Sequence, residues 1–238
     1  MTRIPLIEAR DLCREHQQGE QTVPALRHVH LRIEAGEFVA LAGPSGSGKT
    51  SLLNLLGALD RPSSGELRLD GQELALLSKT ELAGLRLRKL GFVFQHYSLI
   101  PVLSALENVE YVLVLQGVPA AERRQRASEA LASVGLGALL DRRPDQLSGG
   151  QQQRVAVARA IVGRPALVLA DEPTANLDSD TGDGLLALMR DLNQRTGTSF
   201  VIATHDSRVM QSASRLVRLK DGAILEDSAH ALPEACPA

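Results

Sequence analysis

The chain has 238 residues, 44% of them hydrophobic and 23% charged, with a formal net charge of −2 at pH 7. This is enough chain for one large domain or two small ones with a real core. With no basic excess, it does not read as a protein held on nucleic acid by phosphate contacts. Four Phe, two Tyr and no Trp also argue against carbohydrate or single-strand binding by aromatic stacking and leave the core to Leu, Val, Ile and Ala. Cys13 and Cys236 lie at opposite ends, a poor pattern for a disulfide, so a reducing compartment is expected. No apolar stretch approaches the roughly 18 residues of a membrane span. Residues Met1 to Arg10 lack the apolar region of a signal peptide. The expectation is a soluble, cytosolic chain unless a partner holds it at a membrane.

The start of the chain reads as β structure, with rough apolar–polar alternation from Leu26 to Ile33 and a turn at Ala35-Gly36. Phe38 to Ala42 is a continuous apolar run, as expected of a buried parallel strand. A Gly-rich loop follows, then a helix over Leu52 to Leu59 and a strand from Glu66 to Gly71. From about Thr80 to Gly163 the pattern is mostly helical. Ala127, Ala130, Leu131 and Val134 fall at helical spacing, and so do Val155, Ala158 and Val162 before the stop at Gly163 and Pro165. Strand character returns at Ala166 to Ala170. An amphipathic helix carrying Leu185, Leu188, Met189 and Leu192 ends near Gly197, and Phe200 to Ala203 is another buried strand. Alternating strands and helices predict an α/β fold with a largely parallel sheet, on which the helical middle is an insertion. Ser228 to Ala238 is rich in Ala and Pro and is expected to be a disordered tail, counted from residue 229.

Three motifs carry chemistry. Gly43-Pro44-Ser45-Gly46-Ser47-Gly48-Lys49-Thr50 fits G-x-x-x-x-G-K-[ST] between a buried strand and a helix. Its glycines let backbone N–H groups wrap phosphates at a helix N-terminus. Lys49 can neutralise the β and γ phosphates, and the Thr50 hydroxyl can ligate Mg²⁺. Asp171-Glu172 closes the strand from Ala166. That edge faces the ligand crevice of an open α/β sheet, so Asp171 can hold Mg²⁺ and Glu172 can accept a proton from water or orient it. The same pair could also be an ordinary turn. Leu147-Ser148-Gly149-Gly150-Gln151 opens a helix with Ser148 as N-cap and two glycines where an anion could approach; alone it could be a simple capped start.

Taken in this order, Gly43–Thr50, Leu147–Gln151 and Ala166–Glu172 resemble the Walker A, signature and Walker B motifs of the ATP-binding cassette ATPases, and the resemblance extends from about Leu6 to Glu226. It implies a single P-loop NTPase domain over residues 1–228. A RecA-like core with a mainly parallel sheet would carry an N-terminal antiparallel β subdomain and an α-helical subdomain inserted at about 96–163. It implies a nucleotide site of Gly43, Pro44, Ser45, Gly46, Ser47, Gly48, Lys49, Thr50 and Ser51. Gln95 matches the Q-loop glutamine, which touches Mg²⁺ or water. Asp178, in Ala175-Asn176-Leu177-Asp178, matches the D-loop, and His205 the switch histidine at the γ-phosphate. Glu172, His205 and Gln95 are the implied catalytic residues, and Thr50, Gln95 and Asp171 the implied Mg²⁺ set. Two chains would enclose two ATP, with Ser148, Gly149, Gly150 and Gln151 of one chain closing on the nucleotide of the other. Where the family stacks adenine on an aromatic residue this chain has His16, whose imidazole stacks with less area. No N-K-x-D guanine motif is present, so ATP is the expected nucleotide.

Gly57–Pro62, Ala105–Val109 and Leu169–Asp178 resemble one branch of that family, the ATP-binding subunits of lipoprotein-releasing systems, macrolide-type exporters and the cell-division cassette protein. The resemblance implies a homodimer on the cytoplasmic side of the inner membrane, driving an integral membrane permease carried by a separate chain. The loop His96–Pro101 would be the docking surface, although such a loop can also pack on its own domain. A cassette that regulates cell division without transport is the alternative. DNA-repair and translation cassettes carry coiled coils, zinc insertions or second cassettes, and none is visible here.

Overall fold

The computed structural model describes residues 4–19 and 21–229. In chain order the elements are β1 (Ile7–Gln18), β2 (Gln21–Ile33), β3 (Phe38–Ala42), α1 (Lys49–Leu56), β4 (Ser64–Leu69), β5 (Gln72–Glu73), α2 (Lys79–Lys89), β6 (Leu90–Val93), α3 (Ala105–Leu115), α4 (Ala120–Ser133), α5 (Gly149–Ile161), β7 (Leu167–Asp171), α6 (Ser179–Thr196), β8 (Ser199–Thr204), α7 (Ser207–Ser212), β9 (Arg215–Lys220) and β10 (Ala223–Ala229). They form two compact units. One holds the chain up to residue 76 together with residues from 201 onward, and the other holds residues 77–200.

The first unit contains an antiparallel sheet in the order β2-β1-β4-β5. Ile7 lies opposite Ile33 on one side and Leu69 on the other. Along β2 the buried residues Val29, Leu31 and Ile33 alternate with exposed ones, the pattern of an antiparallel sheet with one wet face. Register shifts near Asp11 twist β1, and both Asp11 and His28 take positive φ there. The same unit holds strands in the order β10-β9-β3-β8. β3 runs parallel to β9, Val39 against Arg215 through Ala42 against Arg218. All five residues of β3 are buried, as its unbroken apolar run predicts.

β9 and β10 were not foreseen. They form a hairpin about Asp221-Gly222, both at positive φ, and Asp-Gly is the turn signal that marks it. Ser228 pairs with Leu216 and Ala229 with Arg215, so both residues belong to strand β10; the rest of the expected tail, residues 230–238, lies outside the described residues. Asp70-Gly71, also at positive φ, ends β4 at Leu69 rather than at Gly71.

In the second unit β6 runs parallel to β7, Leu90 opposite Leu167 through Val93 opposite Ala170. β8 begins beside β7, where Ser199 N–H donates to the Ala166 carbonyl at 3.0 Å. α3, α4 and α5 pack on one another through Val109, Leu113, Ala127, Leu131, Val155 and Ala158, all fully buried. α5 also crosses β6 closely: a Cβ on Gly91 would run into the Ala160 carbonyl, so only glycine allows the approach. α2, α3 and α5 begin with the same device, a capping box. Ser78 with Glu81, Ser104 with Glu107, and Ser148 with Gln151 each satisfy two orphan N–H groups.

Arg215 ties the strands of the first unit. Its guanidinium donates to both Asp227 carboxylate oxygens at 2.7 Å, to Glu37 Oε2 at 2.8 Å and to the Arg32 carbonyl at 2.8 Å. These bonds, Asp227's first, raise its pKa against the opposing effect of burial. Arg215→Met removes the donors to the Asp227 and Glu37 carboxylates. The expected loss is about 1.5–3 kcal/mol, the range for bonds to charged groups, read as a lower urea midpoint with unchanged slope.

Candidate nucleotide-binding site

In the first unit the phosphate loop follows from β3 and α1. β3 is locked by burial, and the chain leaves it at Gly43, where a Cβ would meet the Leu219 carbonyl and, at 2.5 Å, the Ser47 hydroxyl. Gly48, at φ 101°, is the N-cap of α1 and offers no side-chain cap, a helix start of the kind that suits an anion. A Cβ at Gly46 would have nothing within 4 Å, so the loop's apex is open. Lys49 is 8% exposed. Its ammonium donates to the Gly43 carbonyl at 2.7 Å and the Pro44 carbonyl at 3.1 Å, which holds a positive charge inside the curve of the loop. The Ser47 hydroxyl is buried without a hydrogen-bond partner. An open apex, a glycine at the helix start and a held cation fit a phosphate chain.

His16 and Ser51 come together: His16 Nε2 lies 3.5 Å from Ser51 Oγ, which places the imidazole beside the first turn of α1. Pro44, Ser45 and Thr50 are exposed along the loop and helix start. His205 is exposed just after β8. Asp206 beside it caps α7, and its carboxylate is held by Arg208 at 2.7 Å, an interaction that lowers its pKa.

In the second unit Asp171 ends β7, and Glu172 follows at φ 45°, a conformation uncommon for a residue with a Cβ. Its carbonyl accepts the Ala175 N–H at 3.2 Å and closes a turn. Beyond β6, the Gln95 carbonyl accepts from Asn176 Nδ2 at 3.0 Å, which joins the glutamine loop to the segment after Glu172. Tyr97 and Ser98 both take positive φ, and their carbonyls accept from Arg159 of α5 at 3.0 and 2.6 Å. Burial lowers the pKa of that guanidinium. At the start of α5, Ser148 accepts from Gln151 N–H at 3.3 Å while Gln151 Oε1 accepts from Ser148 N–H at 2.9 Å. A Cβ on Gly149 would come within 2.7 Å of the Tyr97 hydroxyl, and one on Gly150 would strike Thr181 Cγ2. Asp178 is the N-cap of α6, accepting from Thr181 N–H at 3.0 Å and Thr181 Oγ1 at 2.7 Å, and these bonds lower its pKa.

The loop His96–Pro101 is thus held largely within its own unit. Arg159 takes its carbonyls, and Ile100 exchanges backbone bonds with the Asn108 side chain at 2.7 and 3.1 Å. The sequence reading did not single out Gln153, Arg159 or Asn176. Each acts through bonds to main-chain carbonyls, which no residue spacing reveals. The one available signal was a Gln at a buried position of an otherwise apolar helix face.

A glycine-rich phosphate loop between a buried strand and a helix, with an Asp-Glu pair ending another strand, defines a P-loop nucleotide-binding protein. The family model described as ABC transporter matches residues 26–175, and the chain belongs to that family, as its ATP-binding ATPase part. It is 49% identical over 227 residues to the macrolide export ATP-binding/permease protein MacB of Syntrophobacter fumaroxidans, covering 94% of this chain and 32% of that one. The chain therefore spans about a third of the length of the MacB relatives. An uncharacterized ABC transporter ATP-binding protein of Thermotoga maritima is 48% identical, with 92% of this chain and 93% of that protein covered. A dimeric ATP-binding cassette in a post-hydrolysis state, bound to ADP and Pi, matches with TM-score 0.88 and 42% identity over 94% of this chain and 99% of its own. The cbiO1 cassette of Clostridium perfringens matches with TM-score 0.86 and 28% identity over 95% and 89% of the two chains.

The phosphate loop can be tested at Gly48. Gly48→Ala demands a left-handed alanine whose Cβ lies 2.6 Å from the Ala25 carbonyl. ATP affinity by calorimetric titration should fall about tenfold or more, equivalent to about 1.4 kcal/mol, and the thermal midpoint should drop.

Proposed function

We propose that this chain binds and hydrolyses ATP as a homodimer that closes on two nucleotides, and that closure drives an integral membrane permease in export or lipoprotein release. The observation that carries the reading is the Lys49 ammonium, held by two loop carbonyls at an uncapped helix start. Lys49 and the loop amides take the phosphate charge, Ser51 and His16 line the side toward the base, and His205 meets the γ-phosphate. Glu172 orients the attacking water and takes its proton, with Gln95 as a second polar group there. Thr50, Asp171 and Gln95 would hold Mg²⁺, which supplies charge neutralisation at the phosphates; hydroxyl, carboxylate and carboxamide oxygens suit so hard a cation.

The dimer is supported by the 42% identical cassette found as a dimer with ADP and Pi. In it Ser148, Gly149, Gly150 and Gln151, with Asp178, would face the nucleotide of the other chain. Gly149 and Gly150 suit that role because neither places a side chain over the start of α5. A permease partner is supported by the relatives' names, an ABC transporter ATP-binding protein and the ATP-binding/permease proteins MacB. Among the described residues no helix is long and apolar enough to cross a membrane. Docking through His96–Pro101, flanked by the exposed Phe94 and Val102, would hold the chain at the cytoplasmic face of the inner membrane.

Glu172→Gln keeps shape and hydrogen bonding but removes the base. Steady-state ATPase should fall at least about 100-fold, and size-exclusion chromatography should show a dimer only with ATP. A monomer hydrolysing at the parent rate would make Glu172 a turn residue and sink the mechanism. Lys49→Ala should leave the fold intact, abolish turnover and strongly weaken ATP binding; near-normal ATPase from that variant would remove the phosphate-loop assignment.

A further inference from the structure

Gln153 lies in the second turn of α5 and is fully buried, at 0% exposure. Its carboxamide nitrogen donates to the Phe94 carbonyl at 3.3 Å and to the Pro173 carbonyl at 2.8 Å. Phe94 immediately precedes Gln95, and Pro173 immediately follows Glu172. Both N–H groups of one side chain are therefore engaged next to two residues of the proposed hydrolytic set. Its Oε1 is buried with no partner. An unpaired buried acceptor is costly, and an apolar side chain of similar shape would avoid that cost. The donors are what the position keeps.

The neighbouring backbone needs such a hold. Glu172 sits at φ 45°, outside the regions a residue with a Cβ prefers, and the Ala175 N–H closes a turn on its carbonyl. Gln153 clamps the next carbonyl along. On the other side, Asn176 Nδ2 donates to the Gln95 carbonyl at 3.0 Å, so the glutamine loop and the segment after β7 are linked at two points. Gln153 belongs to the same helix whose first turn carries Gly149 and Gly150.

We propose that Gln153 is a positioning residue for ATP hydrolysis: it sets the main chain at Glu172 and Gln95 from the body of α5, so that the helix bearing Gly149 and Gly150 also orients the water-activating carboxylate. This rests on the reading of Glu172 as the base.

The test uses the full chain with Gln153→Met, which keeps length and loses both donors, alone and combined with Glu172→Gln. Gln153→Met should bind ATP within about twofold of the parent and keep KM within about threefold, while kcat falls at least tenfold. In the Glu172→Gln background the same substitution should cost nothing further. Gln153→Glu gives a second measurement that does not depend on the first variant folding. Protonated, its carboxyl retains one donor; ionised, it has none, and burial raises its pKa. Its kcat relative to the parent should therefore fall as pH rises through that titration. Parent-like kcat in Gln153→Met, a loss confined to KM, or a Gln153→Glu profile parallel to the parent's would each overturn the positioning role. A parent rate in Glu172→Gln would instead overturn the reading beneath it, and the proposal with it.

Discussion

A nearly buried ammonium is tolerable only where carbonyl oxygens take its protons, and the phosphate loop is built around that requirement at Lys49. The Gly43 and Pro44 carbonyls accept from it directly. Gly43 must lack a side chain because the Leu219 carbonyl and the Ser47 hydroxyl occupy the space, and Gly48 must be left-handed to turn the chain into α1. β3, buried on both faces beside β9, anchors one end of the loop, and the buried leucines of α1 anchor the other. The charge is stored before any ligand arrives.

The second unit solves a different problem: how to hold irregular segments that carry polar chemistry. Its solution is α5. Three side chains of that helix, Gln153, Arg159 and Arg154, donate to carbonyls at Phe94 and Pro173, at Tyr97 and Ser98, and at Val134. Loops that lack regular partners are thereby satisfied by one rigid element. The apolar face of the same helix packs on α3, α4 and β6, so the helix that organises the loops is itself fixed by burial.

The matched family model ends at residue 175, just after the Glu172 turn, and reaches back to residue 26, where Gly48 and Gly222 approach the β2 backbone. The 42% identical dimeric cassette with ADP and Pi has chemistry of the kind the phosphate loop and carboxylate pair suggest. The His16 imidazole lies beside Ser51, where the family resemblance leads one to look for a larger ring.

Local patterns were legible from the sequence by itself because their physics is local. The apolar run of β3, the glycine-rich loop, the capped start of α5 and the carboxylates ending β7 each depend on neighbours within a few residues. The β9–β10 hairpin had a local signal in Asp221-Gly222 that went unused. Tertiary structure alone decided which polar side chains hold the loops. The bonds of Gln153 to Phe94 and Pro173 span 59 and 20 residues, and that of Arg159 to Ser98 spans 61. A side chain that donates to a distant carbonyl imposes no requirement on the identity of the residue bearing that carbonyl, so no pattern of residue types records the bond.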